Sequence, residues 1–362
     1  MTSRHSLRAI TLLFLSALPV AAEPPAPAKT NISLLEYGAR FDGVTDDTEA
    51  WKRAIKDALS GPWGAVIKVP AGRSVVSETL AVEITGNEGL AINDVSIHGG
   101  SGGSILTAGS CWRDGMVFKD QTTLRITDTA IRFSRVSPVG TGITISGDRS
   151  KSRLVSDHHL ENVRIQWGEV GISVCKGDAN FEGLMIMNST IVGSRRAAIL
   201  ADNGGSYSGQ LTVTGCHINA GEAAIKTNGI LEVGLCNNYI IAGQSPSPRP
   251  LAVGFHFKNT ASMTITGNLF NFNPENPAGG WGIIVDCDEK WGGRKIPAVI
   301  ANNSIFNPPT GGLSFRNHAT HILVNGNSIV TAGKPVEVAG TAKVNVGINQ
   351  INGEMVNGLD KK

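Results

Sequence analysis

The sequence predicts an all-β solenoid, a stack of short strand-and-turn coils wound about one axis. Three observations carry that reading. An apolar alternation followed by Gly-Asn or Asn-Asn and then Ile recurs at Asn162-Val-Arg-Ile165, Asn188-Ser-Thr-Ile191, Gly215-Cys-His-Ile218, Asn237-Asn-Tyr-Ile240, Gly267-Asn-Leu-Phe270, Asn302-Asn-Ser-Ile305, Gly326-Asn-Ser-Ile329 and Ile348-Asn-Gln-Ile351. Its closing apolar residues stand 22 to 35 residues apart, the interval of one unit stacked many times because no single unit buries its own apolar face. The 44 glycines, three tyrosines and 17% charged residues suit tight turns around a narrow core.

Before the repeats, Met1–Ala22 places Arg4 and Arg8 ahead of an apolar run from Ala9 to Leu18 and a small-residue exit at Val20-Ala21-Ala22. This is the pattern of a secretory signal peptide, too short to span a membrane as a helix, so a secreted or periplasmic location is expected. Removing its two arginines takes the formal net charge from +2 to 0, with 30 basic and 30 acidic residues left. A neutral surface steers neither nucleic acid nor membrane. A Pro-rich leader spans residues 23–30, and residues 31–362 are expected to form one domain, because a solenoid lengthens without thickening.

Asp46-Asp47-Thr48 precedes a segment in which Trp51, Ile55 and Leu59 share one helical face, with carboxylates placed to accept the free amide hydrogens. A helix is expected over about 47–59, capping the first coil, whose bare strand edge would otherwise invite aggregation. Asp42, Asp46 and Asp47 read as braces for that helix. Later coils hold two recognisable strands: the Asn phrase, and a Gly-apolar-x-apolar phrase as at Gly142-Ile-Thr-Ile145, Gly254-Phe-His-Phe257, Gly282-Ile-Ile-Val285 and Gly312-Leu-Ser-Phe315. Strand period two sends Ile and Val inward and the intervening residues outward. Asn238, Asn268, Asn303, Asn327 and Asn349 are expected in left-handed turns with their amides stacked coil on coil. Cys111, Cys175, Cys216, Cys236 and Cys287 are odd in number, show no metal-site spacing and read as small core residues, with any pairing open.

Tyr37-Gly-Ala-Arg-Phe-Asp-Gly-Val-Thr-Asp-Asp-Thr-Glu-Ala-Trp-Lys-Arg-Ala-Ile55 and Gly64-Ala-Val-Ile-Lys-Val-Pro-Ala-Gly72 resemble the opening of the pectate lyase superfamily, in its rhamnogalacturonase/epimerase-like branch related to glycoside hydrolase family 28. The resemblance covers about residues 31 to 75 and implies a right-handed parallel β-helix. The same opening heads lyases, hydrolases, epimerases and phage tailspikes, so it names a scaffold more than a reaction. It leaves the oligomeric state open, monomer or trimer. The chain lacks the Gly-His-Gly and Arg-Ile-Lys of polygalacturonase-type members, so no hydrolase site carries over.

Stacking places equivalent positions of successive coils about 4.8 Å apart in columns. With the Gly phrases in register, one outward column reads Ser146, Cys175, Asp202, Asn228, Lys258, Asp286 and Arg316. Its neighbour reads Thr144, Ser173, Leu200, Lys226, His256, Ile284 and Ser314. Charged groups crowd from Asp202 to Arg316, and the stripe ends in Asp286-Cys-Asp288 and Arg316-Asn-His318. Loops at Gln244–Pro250, Asn273–Trp281 and Glu289–Pro297 would wall this face, and Trp291, or less favourably Trp281 or Trp167, would offer a flat surface to a sugar ring. A solvated set of cross-strand charge pairs is the plainer alternative.

Two reactions suit such a face. Inverting hydrolysis asks for two carboxylates about 6.5 to 9.5 Å apart. Asp202 and Asp286, three coils apart at about 14 Å, are too distant, whereas Asp286 and Asp288 at about 7 Å fit. β-Elimination from a uronate-containing polysaccharide asks for a base at C5 and cations or a metal at the carboxylate. That reading is favoured, with Lys258 or His256 as base, Arg316 and Lys226 neutralising the uronate, and Asn228, Asp202, Trp291 and His318 at the substrate. Asp286 and Asp288, with Asp202 as a further oxygen donor, would hold calcium or orient the sugar. A noncatalytic glycan-binding or surface-structural β-helix and a C5 epimerase remain as alternatives.

Overall fold

The computed structural model describes residues 30–60, 65–83, 95–99, 103–107, 114–121, 123–133, 140–147, 157–174, 181–204, 208–243, 252–272, 279–292 and 297–358. The signal peptide, nearly all of the leader, Cys111, Cys175, the loop Gln244–Pro250 and much of the other two expected loop walls lie outside these residues.

Among the described residues the strands form three sheets of 12, 13 and 10 members running the length of the molecule. Neighbours within each sheet come from successive coils and pair in parallel, except the last pair, Ile348–Ile351 with Glu354–Asn357, which is antiparallel. Each complete coil therefore holds three strands, not two. In one coil these are Ser262–Thr266, Leu269–Phe272 and Gly280–Cys287. The strand missed in the sequence is the apolar alternation ahead of the Asn phrase. A corner of only two residues, such as Gly267-Asn268, separates them, so the pair reads as one phrase.

Inward side chains of the three sheets meet along the axis. Ile265, Phe270 and Phe255 are fully buried, and the Phe255 and Phe270 rings meet edge to face at 4.7 Å between centroids. Burying such a side chain contributes about 1.5 to 3 kcal/mol. Gly282 of the Gly phrase stands where a Cβ would lie 2.6 Å from the Gly312 carbonyl oxygen and 2.8 Å from Ile305, so only glycine lets adjacent coils approach there.

The buried asparagines form the expected ladder. The side-chain amide of Asn238 donates to Asn268, Asn268 to Asn303, Asn303 to Asn327 and Asn327 to Asn349, at 2.9 to 3.0 Å. The left-handed turn falls one residue earlier than expected, at Asn237, Gly267, Asn302 and Gly326. Reversal there aims the following side chain into the core, which puts the ladder amides out of water and obliges them to pair.

The helix Thr48–Ser60 follows the first strand of the second sheet and takes the place of a third-sheet strand in the first coil, packing against Leu80–Glu83. Trp51 and Ile55 join the main core, and the three aspartates brace the segment. Asp42 accepts from the Val44 and Thr45 amides, Asp46 from Thr48 and Ser77, and Asp47 from the Arg40 and Phe41 amides and the Ser74 hydroxyl. Those bonds hold Asp42 down at about pKa 2, led by the Thr45 amide. Cys216 and Cys287 are buried free thiols and Cys236 is half-buried and free, in keeping with packing roles.

Candidate functional site

The third sheet carries the Gly phrases, and its pairing reproduces the outward column from Thr144 to Ser314 and, from Asp202 on, the column beside it. Ser173 pairs with Leu200, Leu200 with Lys226, Lys226 with His256, His256 with Ile284 and Ile284 with Ser314. Beside them Asp202 pairs with Asn228, Asn228 with Lys258, Lys258 with Asp286 and Asp286 with Arg316. The first column continues one coil further, to Glu337 beside Ser314. Pro335-Val-Glu337 replaces the Gly phrase there, and extending the register past the last glycine would have found it.

The columns differ in access. Thr144, Ser173, Ile284 and Ser314 are buried, whereas Asn228, Lys258, Asp286 and Arg316 are half-exposed. The burial of Ile284 has a local source: it packs with Trp281, Ala223 and Val253 in a small apolar cluster separate from the main core. Trp281 is 4% exposed and serves packing and not a sugar-stacking surface, and Trp167 is half-buried against the main core. Trp291 lies in the short helix Glu289–Gly292, which follows the Asp286 strand.

His256 sits at the centre of the charged set. Burial first, then Lys226 and Arg316, lowers its pKa below the ordinary histidine value, while Asp286 and Glu222 pull the other way. The imidazole is therefore neutral at neutral pH, as a general base must be. The lysines have carboxylate partners: Lys226 Nζ lies 3.4 Å from Glu222, which the sequence reading did not name, and Lys258 Nζ 3.7 Å from Asp288. Glu222 precedes its strand and Asp288 follows its own, so neither belongs to the columns.

Asp286 and Asp288 face different coils. Asp286 accepts from Asn317 of the next coil at 2.5 Å, whereas Asp288 accepts from Asn259 of the preceding coil at 2.9 Å and faces Lys258. Asp202 accepts from Asn228 at 2.9 Å and from the Gly204 amide. These carboxylates thus meet amide and ammonium donors, and no three His, Cys, Asp or Glu side chains gather to hold a metal ion among the described residues. The His318 imidazole shares a hydrogen bond with Thr341 at 3.0 Å.

At the lower end, Arg316 Nε donates to the buried Ser314 hydroxyl at 2.9 Å, and that hydroxyl donates to Glu337 at 3.0 Å. Glu337 also takes the Lys334 ammonium at 3.1 Å. The Arg316 guanidinium lies over Trp281, 5.9 Å from the ring centroid. Among the described residues, no helix is long and apolar enough to cross a membrane.

No family model and no curated protein matches the sequence. Solved structures do. The chain is similar to the Agl-KA catalytic domain at 16% identity and TM-score 0.60, over 92% of this chain and 61% of that one. It is similar to the catalytic unit of a thermostable GH87 alpha-1,3-glucanase from Streptomyces thermodiastaticus strain HF3-3 at 16% identity and TM-score 0.53, over 93% of this chain and 66% of that one. It is also similar to the enzymatically active domain of bacteriophage CBA120 tailspike protein 2 at 14% identity and TM-score 0.51, over 89% of this chain and 52% of that one. The chain thus spans less than two thirds of each. Likeness at this identity concerns the path of the backbone, and by that path the chain carries the pectin-lyase-like, right-handed parallel β-helix fold.

Proposed function

We propose that this chain is an exported enzyme that cleaves a uronate-containing polysaccharide by β-elimination on the outer face of the third sheet. The observation that carries the reading is His256, a neutral imidazole paired in register with Lys226 and within electrostatic reach of Arg316 and Asp286. The polysaccharide as substrate class is supported by the alpha-1,3-glucanase catalytic unit whose backbone path is similar. Export rests on the Met1–Ala22 pattern.

In this reading a sugar carboxylate pairs with Arg316, two coils from His256, which makes the adjacent C5 proton acidic. Lys226, three coils from Arg316, stands beside the base and not at that carboxylate. His256 takes that proton, the C4–O glycosidic bond breaks, a C4=C5 double bond forms, and the departing oxygen takes a proton from solvent. Lys258, engaged with Asp288, is the weaker candidate base. Asp286 and Asp288, bonded to opposite neighbouring coils, make a poorer acid and base pair for inverting hydrolysis.

The test follows ultraviolet absorbance of unsaturated uronate products over a panel of acidic glycans. Product from at least one glycan, lost in His256→Ala, is expected. No product from any, or full activity in His256→Ala, rejects the proposal. A second reading, a noncatalytic glycan receptor, draws on the Lys226–Glu222 and Lys258–Asp288 pairs, which leave less free positive charge for catalysis. Binding on a glycan array without turnover would select it.

A further inference from the structure

We infer that Ser314 and Glu337 are positioning residues that present Arg316 as a receptor for a planar sugar carboxylate. The inference rests on the proposed function and adds how that site reads its ligand. On the same face, Lys226, Lys258 and Lys334 each have a carboxylate partner. Arg316 forms no ion pair among the described residues, although Asp286 and Glu337 occupy neighbouring coils. Asp286 is turned to Asn317 and Glu337 to Ser314 and Lys334.

The guanidinium is nonetheless held. Its Nε donates to Ser314, a wholly buried side chain whose own proton goes to Glu337, and its plane lies over Trp281, itself locked in an apolar cluster. A hydroxyl that gives its proton to a carboxylate directs its lone pairs elsewhere, so Glu337 fixes Ser314 as an acceptor and Ser314 fixes Arg316. The Nη groups have no hydrogen-bond partner among the described residues. A fork anchored at Nε with both outer nitrogens free suits bidentate pairing to a carboxylate, and little side-chain freedom remains to be lost when it binds. A lysine here could supply charge but not that geometry.

The test measures affinity for uronate oligosaccharides and for neutral oligosaccharides of equal length, with thermal melting as the check on folding. Arg316→Lys and Arg316→Ala should each lower uronate affinity and leave neutral binding unchanged. Ser314→Ala and Glu337→Ala should each weaken uronate binding about tenfold, the size of one lost charge-assisted contact. The double variant should fall no further, since both residues act through one chain of bonds. Glu337→Gln, whose carbonyl still accepts the Ser314 proton, should retain affinity within about threefold. If Arg316→Ala loses uronate binding while Ser314→Ala and Glu337→Ala keep it, or if the two losses add, the positioning role is refuted and the proposed function stands. If wild-type protein binds no uronate, or Arg316→Ala binds as wild type, both are refuted.

Discussion

Lys258 and Asp286 stand side by side in the third sheet, yet the Lys258 ammonium pairs with Asp288, 3.7 Å away. The register brings two opposite charges together and the turn after Cys287 supplies the partner. Both members are nearly half exposed, at 44% and 48%, so the pair contributes at most about 1 kcal/mol. Lys258→Ala and Asp288→Asn should each shift a denaturant midpoint only slightly. If His256 is the base, Lys258→Ala should also keep product formation within a few fold of wild type, whereas His256→Ala should lower it by about a hundredfold or more.

The pH dependence of turnover follows from the environment of His256. Its pKa is depressed, by burial first and by Lys226 next, so the neutral form persists to lower pH than in an ordinary histidine near about 6.5. The acidic limb of kcat/KM should therefore lie below that value. Replacing Lys226 by Ala removes a charge that disfavours the imidazolium, so the limb should move to higher pH even as the rate falls. A limb unmoved by Lys226→Ala would count against His256 as the titrating base.

Acid stability should depend on a different histidine. His158 is fully buried, its Nδ1 accepts from the Leu124 amide at 3.1 Å, and burial lowers its pKa to about 4. A depressed pKa contributes stability that is present above the unfolded value and is lost as pH falls through the folded one. The window is therefore about 6.5 down to about 4, and the loss at its lower end is about 3 kcal/mol. His158→Gln should flatten the dependence of unfolding free energy on pH across that window. An unchanged slope would assign acid sensitivity to other groups.

The asparagine ladder should govern overall stability. Asn303 accepts from both the backbone and side-chain amides of Asn268, and its own amide donates to Asn327 and to the Ile265 carbonyl. Asn303→Ala strands several buried polar groups and should destabilise by about 2 to 4 kcal/mol in equilibrium unfolding. Gly267→Ala tests the corner before the ladder. Its φ is +68° and an added Cβ would lie 2.4 Å from Asn237 Oδ1, so a loss of about 1 to 3 kcal/mol is expected.

The columns were legible because strand period two and an anchoring glycine together fix which side chains share a face. The opening motif marked the helix for a related reason, since its aspartates have local partners within a few residues or in the next strand. The third strand of each coil was hidden by corners two residues long. The left-handed position was misplaced by one because Asn suits both the turn and the ladder, and only the backbone shows which Asn does which. Glu222, the partner of Lys226, was missed because it precedes its strand and so lies outside the outward columns. Trp281 was ambiguous for a different reason: its neighbours Ala223, Val253 and Ile284 come from three coils and form a cluster only when stacked.

Because every side chain on the charged face is placed by the strand before it and after it, the spacing of that face is indifferent to how much chain hangs from the corners. Insertions at a corner leave the face intact. Excision of the whole turn of the spiral that carries Asp286 would instead seat Arg316 directly beside Lys258, a new juxtaposition made without changing one residue.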